Sequence, residues 1–400
     1  IARAQFISAG GKNFKLRIPI RIITPEKSVA HLLPGQRIHF HGSAVKSKEA
    51  RVAALVFVRG DIEVRTEASA WARSLASIRN GLRSNSGSGD AGALIPGMVL
   101  GDTSKQSVQF KADMKRSGLT HLVAVSGANF AIVSAFVLWC MQFLFRKIPA
   151  RLAATSVALI CFIALVRPTP SVLRAAAMAA VMLFAMSTRV KGDSLPALGF
   201  AIAAVVAIDP WQSRDPGFAL SVLATAGLLV LAPRITAYFQ RWLPQKVAAV
   251  LAIPIAAMAL CLPVIISLSG YISPMSIIAN IVAAPFVAPI TVVGFVAALI
   301  SPVSPWTAHA LLFVIRPFAI VITSIARWSA HFSVLSIRTG LIGFLTALVA
   351  VLLISFFRKR AIALLVILSM VLLWWGRFPA GDWDLFICDV GQGDGYVINL

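Results

Sequence analysis

Cysteine is scarce in this chain. Only four occur, at positions 140, 161, 261 and 388, with no Cys-x-x-Cys pair and no Cys/His grouping; this excludes a disulfide framework and a zinc site of the usual spacing. Charge is scarce as well. Asp, Glu, Lys and Arg make up 13% of the 400 residues against 58% hydrophobic, a balance that excludes an ordinary soluble enzyme. Acids are the rarer part of that charge, 15 against 37 Lys and Arg. A signal-peptide pattern is lacking too. The chain opens on Ile1 rather than Met and stops at Leu400 inside a strand-like run, so a piece of a longer protein is expected.

What the sequence does have is long apolar runs. A bilayer core of about 30 Å needs roughly 20 apolar residues in a helix. The runs 149–166, 216–232, 246–268, 335–357 and 361–375 approach or exceed that length with few charges. Together with the shorter ones they predict about ten passes, at 119–145, 149–166, 171–188, 194–208, 216–232, 246–268, 275–300, 306–326, 335–357 and 361–375. Some of these passes are expected to be broken or re-entrant. The fold class is therefore a polytopic α-helical membrane protein, in contact with membrane lipids.

The odd-numbered connections between these passes carry eleven Lys and Arg, among them Arg146, Arg189, Arg241 and Arg358. The even-numbered ones carry four, together with Asp209 and Asp215. By the positive-inside rule the odd connections face the cytoplasm. Both polar ends of the chain are then expected outside a cytoplasmic membrane.

Two spans are punctuated. The first, 119–145, contains Ser126-Gly127-Ala128-Asn129, and a break there leaves 128–145 as a pass of ordinary length. The second, 274–302, contains Pro274, Pro285, Pro289 and Pro302 with Asn280 among them. Irregular backbone at membrane depth is tolerated only against protein or a water-filled cavity; proline kinks packed against neighbouring helices are one reading, and two such regions in one chain favour the other, a cavity.

Residues 1–118 are different in kind, with 19 Lys and Arg against 8 acids. Phe14, Leu16, Ile18, Ile20 and Ile22 alternate with Lys15, Arg17 and Arg21, the period of a half-buried strand with a cationic outer face. That face carries no stacking aromatic within the strand. Turn signals at Leu33-Pro34-Gly35-Gln36, then strand patterns at 37–41, 52–58 and 62–65, complete a small basic β-domain, 1–66, of the OB type. Such a domain suits a polyanion or a lipid headgroup surface, and its fold type suits single-stranded nucleic acid. Residues 67–118 read as an amphipathic helix (Trp71, Leu75, Ile78 and Leu82 on one side, Arg73, Arg79 and Arg83 on the others) followed by a linker.

Four motifs now stand in order. Ser117-Gly118-Leu119-Thr120-His121-Leu122-Val123-Ala124-Val125-Ser126-Gly127-Ala128-Asn129 resembles the opening signature of the competence domain of the ComEC family of DNA-internalisation proteins. Pro170-Ser171-Val172-Leu173-Arg174-Ala175, followed by Met178, is similar to its second signature. Asp209-Pro210 with Gly217-Phe218-Ala219-Leu220-Ser221 is similar to its third. Asp389-Val390-Gly391-Gln392-Gly393-Asp394, within 382–400, resembles the first strand and turn of a metallo-β-lactamase-like domain. The resemblance implies a channel that imports single-stranded DNA during natural transformation, with its competence domain at 119–376. It also implies partners among DNA receptors and cytoplasmic motors of the uptake machinery. In a longer chain it implies a nuclease domain with a divalent metal.

No cofactor or metal is expected within these 400 residues. The six histidines form no His-x-His-x-Asp cluster, and His39-Phe40-His41 puts two rings on one strand face with no acid close behind in sequence. A path for DNA needs cationic and hydrogen-bonding groups. Arg174, one turn into the third span, and Arg316, midway along the eighth, are the candidate cations. Ser126, Asn129, Asn280 and His121 are the candidate neutral groups, and Lys15, Arg17 and Arg21 the candidate DNA collectors. Two other readings compete. A secondary transporter of a small solute would use the same broken helices, and a membrane-anchored metallohydrolase would use the spans only as an anchor.

Overall fold

The alternation that begins at Phe14 does fold as a strand. A computed structural model describes residues 2–9, 12–24, 32–47, 52–123, 125–166, 170–188, 194–332, 334–336, 339–356, 385–389 and 394–398. In it Ala2–Ala9 (β1), Lys12–Ile23 (β2), Arg37–Lys46 (β3) and Ala54–Thr66 (β4) form one sheet in the order β1-β2-β4-β3. Leu16, Ile18, Ile20 and Ile22 turn inward while Lys15, Arg17 and Arg21 stay exposed.

Two features differ from the sequence expectation. β1 has no alternating signature yet pairs antiparallel with β2, setting Phe6 opposite Lys15; Phe6 is 69% exposed, so the basic face does carry an aromatic. The segments 52–58 and 62–65 are one strand, bulged near Gly60 where the register to β3 slips between His39 and His41. The sheet has four strands with β1 and β3 at its edges, β2 and β4 being parallel neighbours.

The helices follow: Ala70–Asn85 (α1), Gly89–Leu100 (α2), Val108–Arg116 (α3), Gly127–Leu144 (α4), Ile148–Val166 (α5), Pro170–Thr188 (α6), Ser194–Ile208 (α7), Pro216–Phe239 (α8), Gln245–Ser269 (α9), Ser276–Ile300 (α10), Pro305–Ala330 (α11) and Gly340–Phe356 (α12). Among the described residues six are long and apolar enough to cross a membrane: α4, α5, α8, α9, α10 and α11. Shorter apolar helical stretches lie at Gly89–Leu100, Val172–Val181, Ser194–Ile208 and Gly340–Val349. The tenth expected pass, 361–375, lies outside the described residues.

One compact unit comprises residues 1–222 and 275–332. At its centre is α2, a buried helix where the sequence predicts a linker. Every residue from Ala91 to Leu100 is buried, packed on α10, α11, α1 and α5. A helix apolar on all sides has no stripe to reveal it, and it is too short to register as a span. The aromatic rings of Phe130, Phe162 and Phe295 lock α4, α5 and α10 together, with centroids 5.6 and 5.2 Å apart.

α10 runs unbroken through Pro285 and Pro289, and α11 through Pro317, which corrects the expected break at 274–302. Helices in lipid accommodate proline because neighbouring groups re-satisfy the carbonyl that proline leaves unbonded. The other expected break is real: Ser126 is extended and caps α4, and the stretch before it holds only a one-turn 3-10 helix, Thr120–Leu122.

The second unit comprises residues 223–274 and 333–400. Within it α9 packs on α12, and a π-turn at Gly227–Leu231 sets Gly227 against the Ala256 carbonyl, leaving no space for a side chain. Tyr271–Ile272 (β5) pairs with Leu335–Ser336 (β6). Leu385–Asp389 (β7) and Asp394–Ile398 (β8) form an antiparallel hairpin in which Asp389 faces Asp394; Gly391, Gln392 and Gly393 lie outside the described residues.

Candidate functional site

The first turn of α4 gathers three of the six polar groups that the sequence singled out for a path, Ser126, Asn129 and Arg174. Ser126 is its N-cap: the hydroxyl accepts the Asn129 N–H at 3.2 Å and the carbonyl accepts the Phe130 N–H at 3.1 Å. Asn129 is 1% exposed, and its Nδ2 donates to the Met98 carbonyl in the last turn of α2 at 3.0 Å. Its Oδ1 is buried and has no partner among the described residues.

Arg174 comes to the same place from α6. It is 4% exposed, and its guanidinium lies against Gly127 so closely that a Cβ there would stand 2.5 Å from Nη2. Its Nε and Nη1 are buried without a hydrogen-bond partner, and it forms no ion pair among the described residues. An arginine that reaches lipid headgroups would be exposed. This one points into protein.

The remaining candidates are dispersed. Arg316 is half-buried on α11 against the turn at Gly87, where Asn85, Ser86, His309, Leu312 and Phe313 line with it a crevice of about 10 Å³, room for about one water. Asn280 turns back on its own helix, donating to the Ser276 carbonyl at 2.7 Å and, at 3.5 Å, to the Gly118 carbonyl. His121 sits on the surface in the turn Thr120–Leu122. In the third motif Asp209 caps the turn Pro210–Arg214, and Asp215 accepts the Phe218 N–H at 3.1 Å just after Gly217. Phe218 is buried, and Ser221 engages in bonding as well. Of the second motif, Pro170 and Ser171 open α6 one turn ahead of Arg174.

Arg79 and Arg83, on the polar sides of α1, are structural, as are Asp102 and Gln106, which the sequence did not single out. Arg79 donates from one nitrogen to the Leu100 and Leu165 carbonyls, at 3.1 and 2.7 Å. Arg83 pairs with the buried Asp102 at 2.8 Å. Burial alone would raise the Asp102 pKa; hydrogen bonds from the Ser104 hydroxyl and amide and the charges of Arg83 and Arg79 outweigh it and hold the carboxyl below its ordinary value. Gln106, 6% exposed, donates to the Val123 carbonyl at 2.9 Å. The available signal was the i, i+4 spacing of Arg79 and Arg83, which puts both on one side of α1.

His39 and His41 stack edge to face with centroids 5.2 Å apart. The acid that does not follow them closely in sequence comes from the neighbouring strand, with Glu63 3.8 Å from His39. Among the described residues no three His, Cys, Asp or Glu side chains converge as metal ligands.

Comparison with known families gives one result. A family model described as "Competence protein" matches residues 98–378, beginning inside α2. No curated protein and no solved structure is similar enough to count as a match.

Proposed function

The chain belongs to the competence protein family, a family of DNA uptake, and from that premise we propose that it is the channel for import of single-stranded DNA across the cytoplasmic membrane. The carrying observation is Arg174, a cation held inside an apolar helical assembly without a partner among the described residues. Uncompensated charge at such depth is costly and marks a substrate or ion path. Six membrane-length helices supply the barrier that such a path crosses.

In this reading the competence domain, 119–376, makes about ten passes, and both polar ends lie outside. The basic β-domain, 1–66, collects DNA through Lys15, Arg17 and Arg21. The segment 67–118 joins it to the membrane part, and 382–400 begins a metallo-β-lactamase-like domain whose metal ligands belong to a longer chain. Receptor and motor proteins of the uptake machinery are its partners, and Arg174 and Arg316 are steps along the path.

The test is uptake of labelled DNA by cells carrying Arg174→Ala or Arg316→Ala, with membrane insertion checked by fractionation. Uptake is expected to fall while insertion persists. Unchanged uptake by correctly inserted protein overturns these assignments, and transport of labelled small solutes in place of DNA overturns the channel reading.

A further inference from the structure

The environment of Arg174 is electrostatically one-sided. Its guanidinium lies at the first residue of α4, an 18-residue helix, and a helix amino end carries a partial positive charge of its own. A buried cation beside a second positive pole, with two nitrogens unpartnered among the described residues, has no counter-charge among them.

The donors at this place form a set. Ser126 uses its hydroxyl on Asn129 and its carbonyl on Phe130. The amides of Gly127 and Ala128 therefore stand ahead of the helical ladder, as the first amides of a helix do. Gly127 has no side chain between those amides and Arg174, and the space admits none. Ala128 is exposed whereas Arg174 is buried behind it, so the turn has an outer side from which a ligand can approach.

We propose that Arg174 and the first turn of α4 bind one phosphate group of a phosphodiester. The guanidinium fork matches two phosphate oxygens, and the helix amides accept the remaining charge as they do at other helix amino ends. This deepens the import reading and rests on it only for the source of the phosphate, the DNA backbone. A phospholipid headgroup offers the same chemistry, and the experiment separates the two.

The full chain is purified in detergent, and three measurements are made on wild type, Arg174→Gln, Arg174→Lys and Ala128→Asp. The last places a carboxylate at the helix start, so it fills the site internally and favours the helix. The measurements are the melting temperature with and without inorganic phosphate, binding of a thymidine oligonucleotide beside its uncharged methylphosphonate analogue, and phospholipid retained in native mass spectra.

Phosphate is expected to raise the melting temperature of wild type, less that of Arg174→Lys, and not that of Arg174→Gln or Ala128→Asp. Oligonucleotide affinity should fall about tenfold or more in Arg174→Gln and Ala128→Asp and less in Arg174→Lys, with the methylphosphonate analogue binding weakly throughout. Retained phospholipid lost from the variants, with oligonucleotide binding unchanged, supports the phosphate site and overturns DNA as its source. Identical behaviour of wild type and folded Ala128→Asp in all three measurements overturns the proposal. Loss of DNA uptake in Arg174→Gln with phosphate binding intact overturns it too, and leaves the import reading standing. An intact phosphate response in a protein that imports no DNA does the reverse.

Discussion

The Asn129 side-chain amide donates to the Met98 carbonyl at 3.0 Å, tying the first turn of α4 to the last turn of α2. The bond joins a helix that the sequence announces to one that it conceals. Asn129→Leu keeps the volume and removes the donor, leaving a buried carbonyl unsatisfied. The cost expected is about 1–3 kcal/mol, read as a lower melting temperature of the detergent-solubilised chain. An unchanged melting temperature would mean that α2 and α4 are held together by packing alone.

The Arg83–Asp102 pair gives a pH dependence of definite sign. Because the folded Asp102 carboxyl sits below its ordinary value of 3.8, its contribution is fully present above that value and is lost as pH falls through the folded one. Asp102→Asn should therefore lower the melting temperature at pH 7, by the equivalent of roughly 1–3 kcal/mol. The gap to wild type should narrow as the medium is taken below about pH 4. Parallel melting curves at every pH would contradict the pairing.

Gly118 has φ +74 and abuts Ser276 at the start of α10. Alanine there adds left-handed strain of about 1–2 kcal/mol, and its Cβ would meet the Ser276 side chain. Gly118→Ala is expected to lower both folded yield and melting temperature. The double variant Gly118→Ala with Ser276→Gly should recover the steric part and leave the backbone part. Equal destabilisation in single and double variants would remove the contact from the account.

On the β-sheet, Phe6 stands opposite Lys15 on the exposed basic face. Single-stranded nucleic acid is held by such combinations of charge and stacking. Replacing Lys15, Arg17 and Arg21 by Gln in the full chain should make the salt dependence of oligonucleotide binding less steep by about 2 in the logarithmic slope. Phe6→Ala should weaken binding by about 1–3 kcal/mol with the slope unchanged. A slope that ignores the three substitutions assigns DNA collection to another surface.

Local signals carried the parts of the fold that local chemistry decides. The start of α4 was legible because Ser126-Gly127-Ala128-Asn129 interrupts an overlong apolar run, and Ser126 is the cap there. β2 was legible because its alternation is strict. What stayed hidden depended on distant partners. α2, with Gly at 89, 92 and 97 and Pro96, has neither a stripe nor the length of a span. The acid beside His39 comes from Glu63 on another strand. The prolines of α10 looked like breaks because the rule that proline ends helices was learned in water, whereas packed helices in lipid keep their course. For the candidate site, Arg174 stood out as a charge in an apolar run. Its position at the head of α4 required the tertiary contact with Gly127.

Arg79 closes the carboxyl ends of two helices with a single nitrogen, and one of its acceptors, Leu165, lies 86 residues downstream. During synthesis that acceptor does not exist until α5 has been translated. The amino-terminal hairpin of α1 and α2 can therefore make the Arg79–Leu100 bond first, and it gains the Leu165 bond only when the second long helix arrives. A ribosome paused before residue 165 should hold a nascent chain in which this hairpin is still open to proteases.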